Sequence, residues 1–309
     1  MLLVAFLAAC TTPAETEPPS PSDTDDTPET DDTGGADTDD TSGEGTEPPR
    51  TLSSGEHTLE HEGLSRLFRL YLPADLPAGA PLVVTLHGYG GSAGGIQGYS
   101  GLDAQADEHG FAVVYPQAMV DTWGWRCWDV GYCSYAEGEL DDVGFVREVI
   151  ELVRADQGLD SVLVTGMSNG GDMTYRMACH ASDIVDVTAP VAGCLMGWLA
   201  DDCAPATPPP MLHIHGNADN ITLWDGDPTY KAGGYYSTLD SIGFVAGLHE
   251  TTDYTTETDG DIIVHSWATA AESVPVQLYE IDGGRHDWPS GDELDAASLM
   301  WSFFVEQTQ

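Results

Sequence analysis

Three separated stretches of the chain carry residue types that suit attack on a carbonyl carbon. In Gly166-Met167-Ser168-Asn169-Gly170-Gly171 a serine sits between glycines, directly after the β-branched run Ser161–Thr165 and ahead of the helix-compatible segment Asp172–His180. A sharp strand-to-helix turn of this kind presents a serine hydroxyl, and the helix N-terminus behind it favours developing negative charge. A plain Gly-rich strand–helix turn has the same glycines, so the flanking strand and helix carry the reading. A serine hydroxyl is a poor nucleophile without an adjacent base. Downstream, MLHIHGNADN sets Asp219 a few residues past an apolar run, and VPVQLYEIDGGRHDWP sets His286 on a glycine-containing loop after the last such run. That order (nucleophile, acid, base) fits His286 taking the Ser168 proton while Asp219 orients the imidazole. Asp225 and Asp287 are fallback acids. His213 and His215 alternate at a strand end and read as structural rather than as metal ligands.

Such chemistry needs donors for an oxyanion. One candidate is the backbone N–H of Asn169, the residue after the nucleophile. The other is the N–H of Tyr89, because Pro81–Leu86 runs into His87-Gly88-Tyr89-Gly90-Gly91, where glycines allow close backbone approach. Trp123, Trp125 and Trp128, with Trp288 beside the base, could line a pocket for an aromatic acyl group; placement in the core is an equal alternative.

The elements that must position these residues alternate. Pro81–Leu86, Phe111–Tyr115, Ser161–Thr165, Val187–Val191, Met211–Ile214 and Val274–Ile281 read as strands buried on both faces. Residues 141–155 read as a helix, with Val143, Val146, Val149, Ile150 and Val153 at helical spacing. His57–Leu72 reads as an antiparallel hairpin at a sheet edge. Strand–helix alternation predicts an α/β fold, a doubly wound and mostly parallel sheet flanked by helices.

Of 309 residues, 52 are acidic and 9 basic, a formal charge of −43. That sign excludes a general nucleic-acid partner and argues against attraction to anionic lipid. The acidity extends beyond the N-terminal region: 39 acidic and 8 basic residues fall in 51–309. Solubility explains such a surface, and adaptation to salt is the sharper reading. Residues 1–9 are apolar and end at Cys10, and Leu7-Ala8-Ala9-Cys10 resembles a bacterial lipobox, too short to span a bilayer. Residues 10–50, rich in Thr, Pro, Asp and Glu, are expected to be a disordered tether, and 51–309 a single folded domain. This predicts an exported bacterial lipoprotein, at the cell surface or outer membrane, touching a membrane only through lipid on Cys10. In such a compartment Cys127–Cys133 and Cys194–Cys203 are the expected disulfides, with Cys179 left as a buried thiol.

Taken in order, LHGYGGS, WRCWDV with DDVGFVREVI, VTGMSNGGDMTYRMAC, APVAG, MLHIHGNAD and GGRHDWP resemble the secreted feruloyl esterases and polyhydroxybutyrate-depolymerase-like esterases, over about residues 52–306. The resemblance implies an α/β-hydrolase fold, a Ser168–Asp219–His286 triad, and neither metal nor organic cofactor. It implies a serine esterase acting on polysaccharide-linked or polymeric esters, hydroxycinnamoyl esters of plant cell wall first; a monomer is expected. The alternatives are a polyhydroxyalkanoate depolymerase, an acetyl or short-chain esterase, and, in another class, a catalytically silent surface-binding lipoprotein on the same scaffold. Arg285 and Asp287 flank the base where a glycine and a small hydroxyl residue are expected, which puts the substrate environment there in doubt.

Overall fold

The computed structural model describes Leu52–Gln309 apart from Glu137. The expectations for 1–9, Cys10 and the tether therefore lie outside the described residues. The described chain opens with the expected hairpin, β1 (Gly55–His61) and β2 (Leu64–Tyr71). Its turn places Glu62 and Gly63 at φ of 50° and 78°, the two-residue geometry whose twist matches that of paired strands. Next come β3 (Leu82–Leu86), helices α1 (Ala93–Tyr99) and α2 (Leu102–His109), and β4 (Ala112–Pro116). Helix α3 (Asp142–Gln157), β5 (Val162–Met167), α4 (Asn169–His180), β6 (Val187–Val191), α5 (Gly197–Asp202) and β7 (Met211–Gly216) follow. The chain ends with α6 (Thr238–Leu248), β8 (Asp253–Asp259), β9 (Ile262–Ala268), β10 (Val276–Ile281) and α7 (Ala296–Thr308).

The strands form one sheet in the order β1-β2-β4-β3-β5-β6-β7-β10-β9-β8. Its centre, β4 to β10, is parallel, and the β1–β2 and β8–β9 hairpins close its edges antiparallel. Successive side chains of a strand point to opposite faces. Accordingly Leu82, Val84 and Leu86 pack on one face with α3, α4 and α6, through Phe145, Val149, Met173 and Ile242. Val83, Leu163, Leu212 and Ile214 pack on the other, against Ile96, Leu102, Met300 and Phe304 of α1, α2 and α7. Two covered faces are why the central strands read as unbroken apolar runs rather than alternating ones.

The cysteines correct the expected pairing. Cys127–Cys133 is a disulfide as expected, but Cys203 pairs with Cys179 rather than with Cys194. Cys194 is the buried free thiol. It follows Gly193, which packs against Gly171 at the start of α4, whereas α5 carries Cys203 back towards the far end of α4, where Cys179 lies. Closeness in sequence misled because α5 reverses the path between the two.

A buried ion pair ties β2 to the first residue of α3. The Arg66 guanidinium donates to Asp142 at 2.5 Å, the two side chains being 1% and 0% exposed. The other Asp142 oxygen accepts the N–H of Asp129 (2.7 Å), and the guanidinium lies 3.9 Å from the Phe145 ring centre. Removing one partner leaves a buried charge uncompensated. Arg66→Met is expected to cost about 3–5 kcal/mol in urea unfolding, against a few tenths for the exposed partner pair Arg147–Asp183.

Candidate active site

Ser168 sits immediately after β5 at φ 57° and ψ −123°, a backbone region that strains a residue with a side chain. Its N–H donates to Val191 O (2.9 Å). The glycines around it answer a steric demand. A Cβ on Gly166 would run into the Gly170 carbonyl, and one on Gly170 into the Leu86 carbonyl. A Cβ on Gly171 would stand 2.9 Å from Val191 O, and one on Gly193 would stand 2.6 Å from the Gly171 carbonyl carbon. Three strand ends and one helix start therefore meet at backbone contact around the serine.

Asp219 and His286 are brought together by strand pairing. β7 and β10 run parallel in register from Met211–Val276 to Gly216–Ile281, and the loops after them remain joined. Ala218 N–H donates to Gly284 O (2.9 Å), and Gly283 N–H to Asn217 Oδ1 (2.8 Å). His286 Nδ1 consequently lies 2.7 Å from Asp219 Oδ2, the aspartate side chain being 0% and the histidine 17% exposed. Asp219 Oδ1 accepts the N–H groups of Ile221 (2.7 Å) and Thr222 (3.1 Å).

A second histidine, which the sequence reading set aside as structural, reaches the same carboxylate. His215 Nε2 lies 3.0 Å from Thr222 O and 3.3 Å from Asp219 Oδ2. Neither oxygen can donate in this arrangement, so Nε2 carries the proton and Nδ1 accepts. His213 Nε2, 3.1 Å from that Nδ1, is then the donor, and His213 Nδ1 accepts the Tyr175 hydroxyl at 2.7 Å. Burial pushes His213 well below the usual imidazole range, so it stays neutral. Burial alone would raise the Asp219 carboxyl, but the hydrogen bonds from His215 and His286 and from the Ile221 N–H outweigh it and hold the group well below the usual carboxylate range.

The loop after β3 is held by another neutral histidine. His87 Nδ1 donates to Gly88 O (2.8 Å), and Nε2 accepts the Ala118 N–H (3.1 Å). Burial lowers its pKa to about 4. Gly90 and Gly91 donate to Arg126 O and Gly88 O, whereas no described residue takes the Tyr89 N–H. Asn169 is the first residue of α4, where a backbone N–H has no partner within the helix. Its side chain clamps the backbone of Trp128, Oδ1 accepting at 2.7 Å and Nδ2 donating at 3.1 Å.

Ser168 opens into a cavity of about 300 Å³. Tyr132, Tyr230 and Tyr235 form one aromatic wall, in edge-to-face contacts with centroids 5.5 Å apart. Tyr89 and Trp123 also line it, and Lys231 Nζ lies 4.2 Å from the Trp123 ring centre. Buried Asp121 ties these two aromatics together, accepting the Tyr89 hydroxyl (3.0 Å) and the N–H of Trp123 (2.9 Å). The four candidate tryptophans separate. Trp123 lines the cavity, while Trp125 packs exposed against Gly90 outside it. Trp128 is fully buried and its indole donates to His87 O (2.9 Å), so it is a strut between the two candidate oxyanion segments rather than a wall. Trp288 is buried against the other face of the sheet, its indole donating to Ser100 O (3.1 Å). Reading tryptophan for aromatic capacity overlooked the tyrosines, which carry no motif. A larger cleft of about 710 Å³, near Asp129 and Asp141, holds neither Ser168 nor the Asp219–His286 pair.

The mostly parallel sheet flanked by helices, with the sharp turn after β5 and the paired loops after β7 and β10, has the architecture of the α/β-hydrolase class. Residues 66–203 match the family model described as Esterase PHB depolymerase. Poly(3-hydroxyalkanoate) depolymerase C of Paucimonas lemoignei is 28% identical over 244 residues, covering 71% of this chain and 58% of its own length. Feruloyl esterase B of Thermothelomyces thermophilus is 31% identical over 190 residues, 59% of this chain and 63% of its own. The chain spans about half the length of the curated relatives it matches. Among solved structures, the acetyl xylan esterase from Aspergillus awamori superposes with a TM-score of 0.63 at 18% identity, covering 82% of this chain and 99% of that one. At that identity the likeness concerns the fold.

The neutral His87 sets a pH dependence. Its folded pKa lies below that of free imidazole, so the unfolded chain binds more protons and stability falls as pH drops through the interval from 6.5 to about 4. His87→Gln, whose amide can reproduce both hydrogen bonds, is expected to remove on the order of 3 kcal/mol of that loss, read from urea unfolding of both proteins across the interval.

Proposed function

We propose that this chain is an exported serine esterase in which Ser168 is acylated by carboxylic esters, foremost hydroxycinnamoyl esters of plant cell-wall polysaccharide. The observation that carries the reading is a strained serine after β5 and a hydrogen-bonded Asp219–His286 pair after β7 and β10, all at the C-terminal ends of the parallel strands, with the serine opening into a cavity lined by aromatic rings. His286 Nε2, the ring nitrogen that Asp219 leaves free, takes the Ser168 proton as Oγ attacks the ester carbonyl. The oxyanion is met by the Tyr89 and Asn169 N–H groups. His286 passes its proton to the departing alkoxide. Water then adds to the acyl-enzyme through the same base, and Ser168 recovers its proton as the carboxylic acid leaves.

Export belongs to the reading. Two disulfides among the described residues suit an oxidising compartment, with Cys10 as the lipid site and 10–50 as the tether of a monomeric domain. A second substrate reading, polyhydroxyalkanoate depolymerisation, is favoured by exposed apolar side chains near the cavity, including Trp123, Trp125, Ile221 and Leu223.

The test is turnover of methyl ferulate, p-nitrophenyl acetate and a polyhydroxybutyrate film by the full chain. Ferulate turnover is expected, with Ser168→Ala losing roughly a million-fold in kcat and Asp219→Asn about ten-thousand-fold. Polymer turnover without ferulate turnover would move the substrate to the second reading. Folded protein with no esterase activity would overturn the catalytic reading in favour of a binding protein.

A further inference from the structure

Asp172 is a charged group in the cavity that the hydrolytic steps do not use. It lies four residues after Ser168, and its N–H donates to Ser168 O at 2.9 Å, so the two stand on one face of α4, about 6 Å apart along the helix axis. Both line the cavity, and Asp172 is 5% exposed.

Three hydrogen bonds end on this carboxylate. Oδ1 accepts the Cys194 N–H at 2.8 Å and the Cys194 thiol at 3.4 Å. Oδ2 accepts the Tyr132 hydroxyl at 2.7 Å, whose oxygen in turn accepts from Asn169 Nδ2 at 2.8 Å. A carboxylate offers about four acceptor positions, so Oδ2 retains one. No basic side chain pairs with Asp172 among the described residues. Lys231, the sole lysine in the chain, lies over Trp123 instead. A buried carboxylate without a counter-ion is costly, and burial lifts this one to about 6. A structural acceptor for Cys194 could have been an uncharged amide; a carboxylate with a spare acceptor in a substrate cavity suits a ligand that donates.

We propose that Asp172 is a specificity determinant that accepts a hydrogen bond from a hydroxyl on the acyl group, selecting hydroxyacyl esters over their unsubstituted counterparts. This rests on the reading that the acyl group of an ester bound to Ser168 occupies the cavity. The donor can be the phenol of a hydroxycinnamate or the hydroxyl of a hydroxyalkanoate.

Two substrate pairs that differ by one hydroxyl separate these sources: methyl p-coumarate against methyl cinnamate, and methyl 3-hydroxybutyrate against methyl butyrate. Assays use the full chain at about pH 8, where the group is ionised, and a p-nitrophenyl acetate burst counts active sites so that a misfolded variant is recognised. The wild type is expected to favour the hydroxylated member of at least one pair by roughly 10- to 100-fold in kcat/KM, the range of one hydrogen bond to a charged acceptor. Asp172→Asn, which keeps the side-chain shape, should bring that ratio close to unity. Tyr132→Phe, which removes one donor and leaves the carboxylate, should retain the preference. A wild-type ratio near unity with p-coumarate hydrolysed overturns the proposal and leaves the hydroxycinnamoyl reading standing. A strong ratio that survives Asp172→Asn also overturns it. Preference for 3-hydroxybutyrate without turnover of either cinnamate supports the proposal and removes the hydroxycinnamoyl reading, while turnover of acetate alone removes both.

Discussion

Four glycines let Ser168 occupy a backbone conformation that a side-chain-bearing residue avoids. The turn stays sharp because β3, β5, β6 and the first turn of α4 approach until no room is left for a Cβ at Gly166, Gly170, Gly171 or Gly193. Packing of this density allows few alternative placements of the serine. It also fixes the start of α4, and with it the Asn169 N–H, the Asn169 clamp on Trp128 and the carboxylate of Asp172. The strain at Ser168 is thus held by the sheet itself, and the cavity floor inherits its position from the same contact.

The second fixed point is the Asp219 carboxylate. Strand pairing delivers it to His286, but pairing alone leaves a carboxylate free to rotate. Two backbone N–H groups hold Oδ1, while His215 and His286 share Oδ2. Because Thr222 O can only accept, His215 Nε2 carries a proton, and burial keeps His213 and Tyr175 neutral. The hydrogen bonds that end on the Asp219 carboxylate favour its charged form. His286 then faces a carboxylate held in its anionic form.

The parallel centre of the sheet was legible because strands buried on both faces leave unbroken apolar runs, as in Val162–Met167 and Met211–Gly216. The hairpin β8–β9 was not. β8 is exposed along its whole length and reads DYTTETD, so no apolar alternation marks it. The short α1 and α5 left no helical period to detect. Within the site, Ser168, Asp219 and His286 stood out because each sits at a turn with a sequence signature. Tyr132, Asp172, Tyr230 and Tyr235 sit in loops or on a helix without one, and only the fold brings them to one cavity. The same limit explains the cysteines: Cys194 and Cys203 are near in sequence, yet a six-residue helix separates their directions.

Under the proposed function, charge and site act on different stages of an ester's passage. With 52 acidic and 9 basic residues in the chain, the surface potential is negative. A neutral ester approaches such a surface without repulsion, whereas the carboxylate released by hydrolysis is pushed away from it. Salt screens that push at long range but acts less within a partly enclosed cavity. There, in the proposed binding mode, Asp172 accepts from a hydroxyl of the acyl group, which ester and released acid share. On that reading the acidic exterior favours the ester over the acid, while the buried acceptor favours hydroxylated acyl groups over unsubstituted ones.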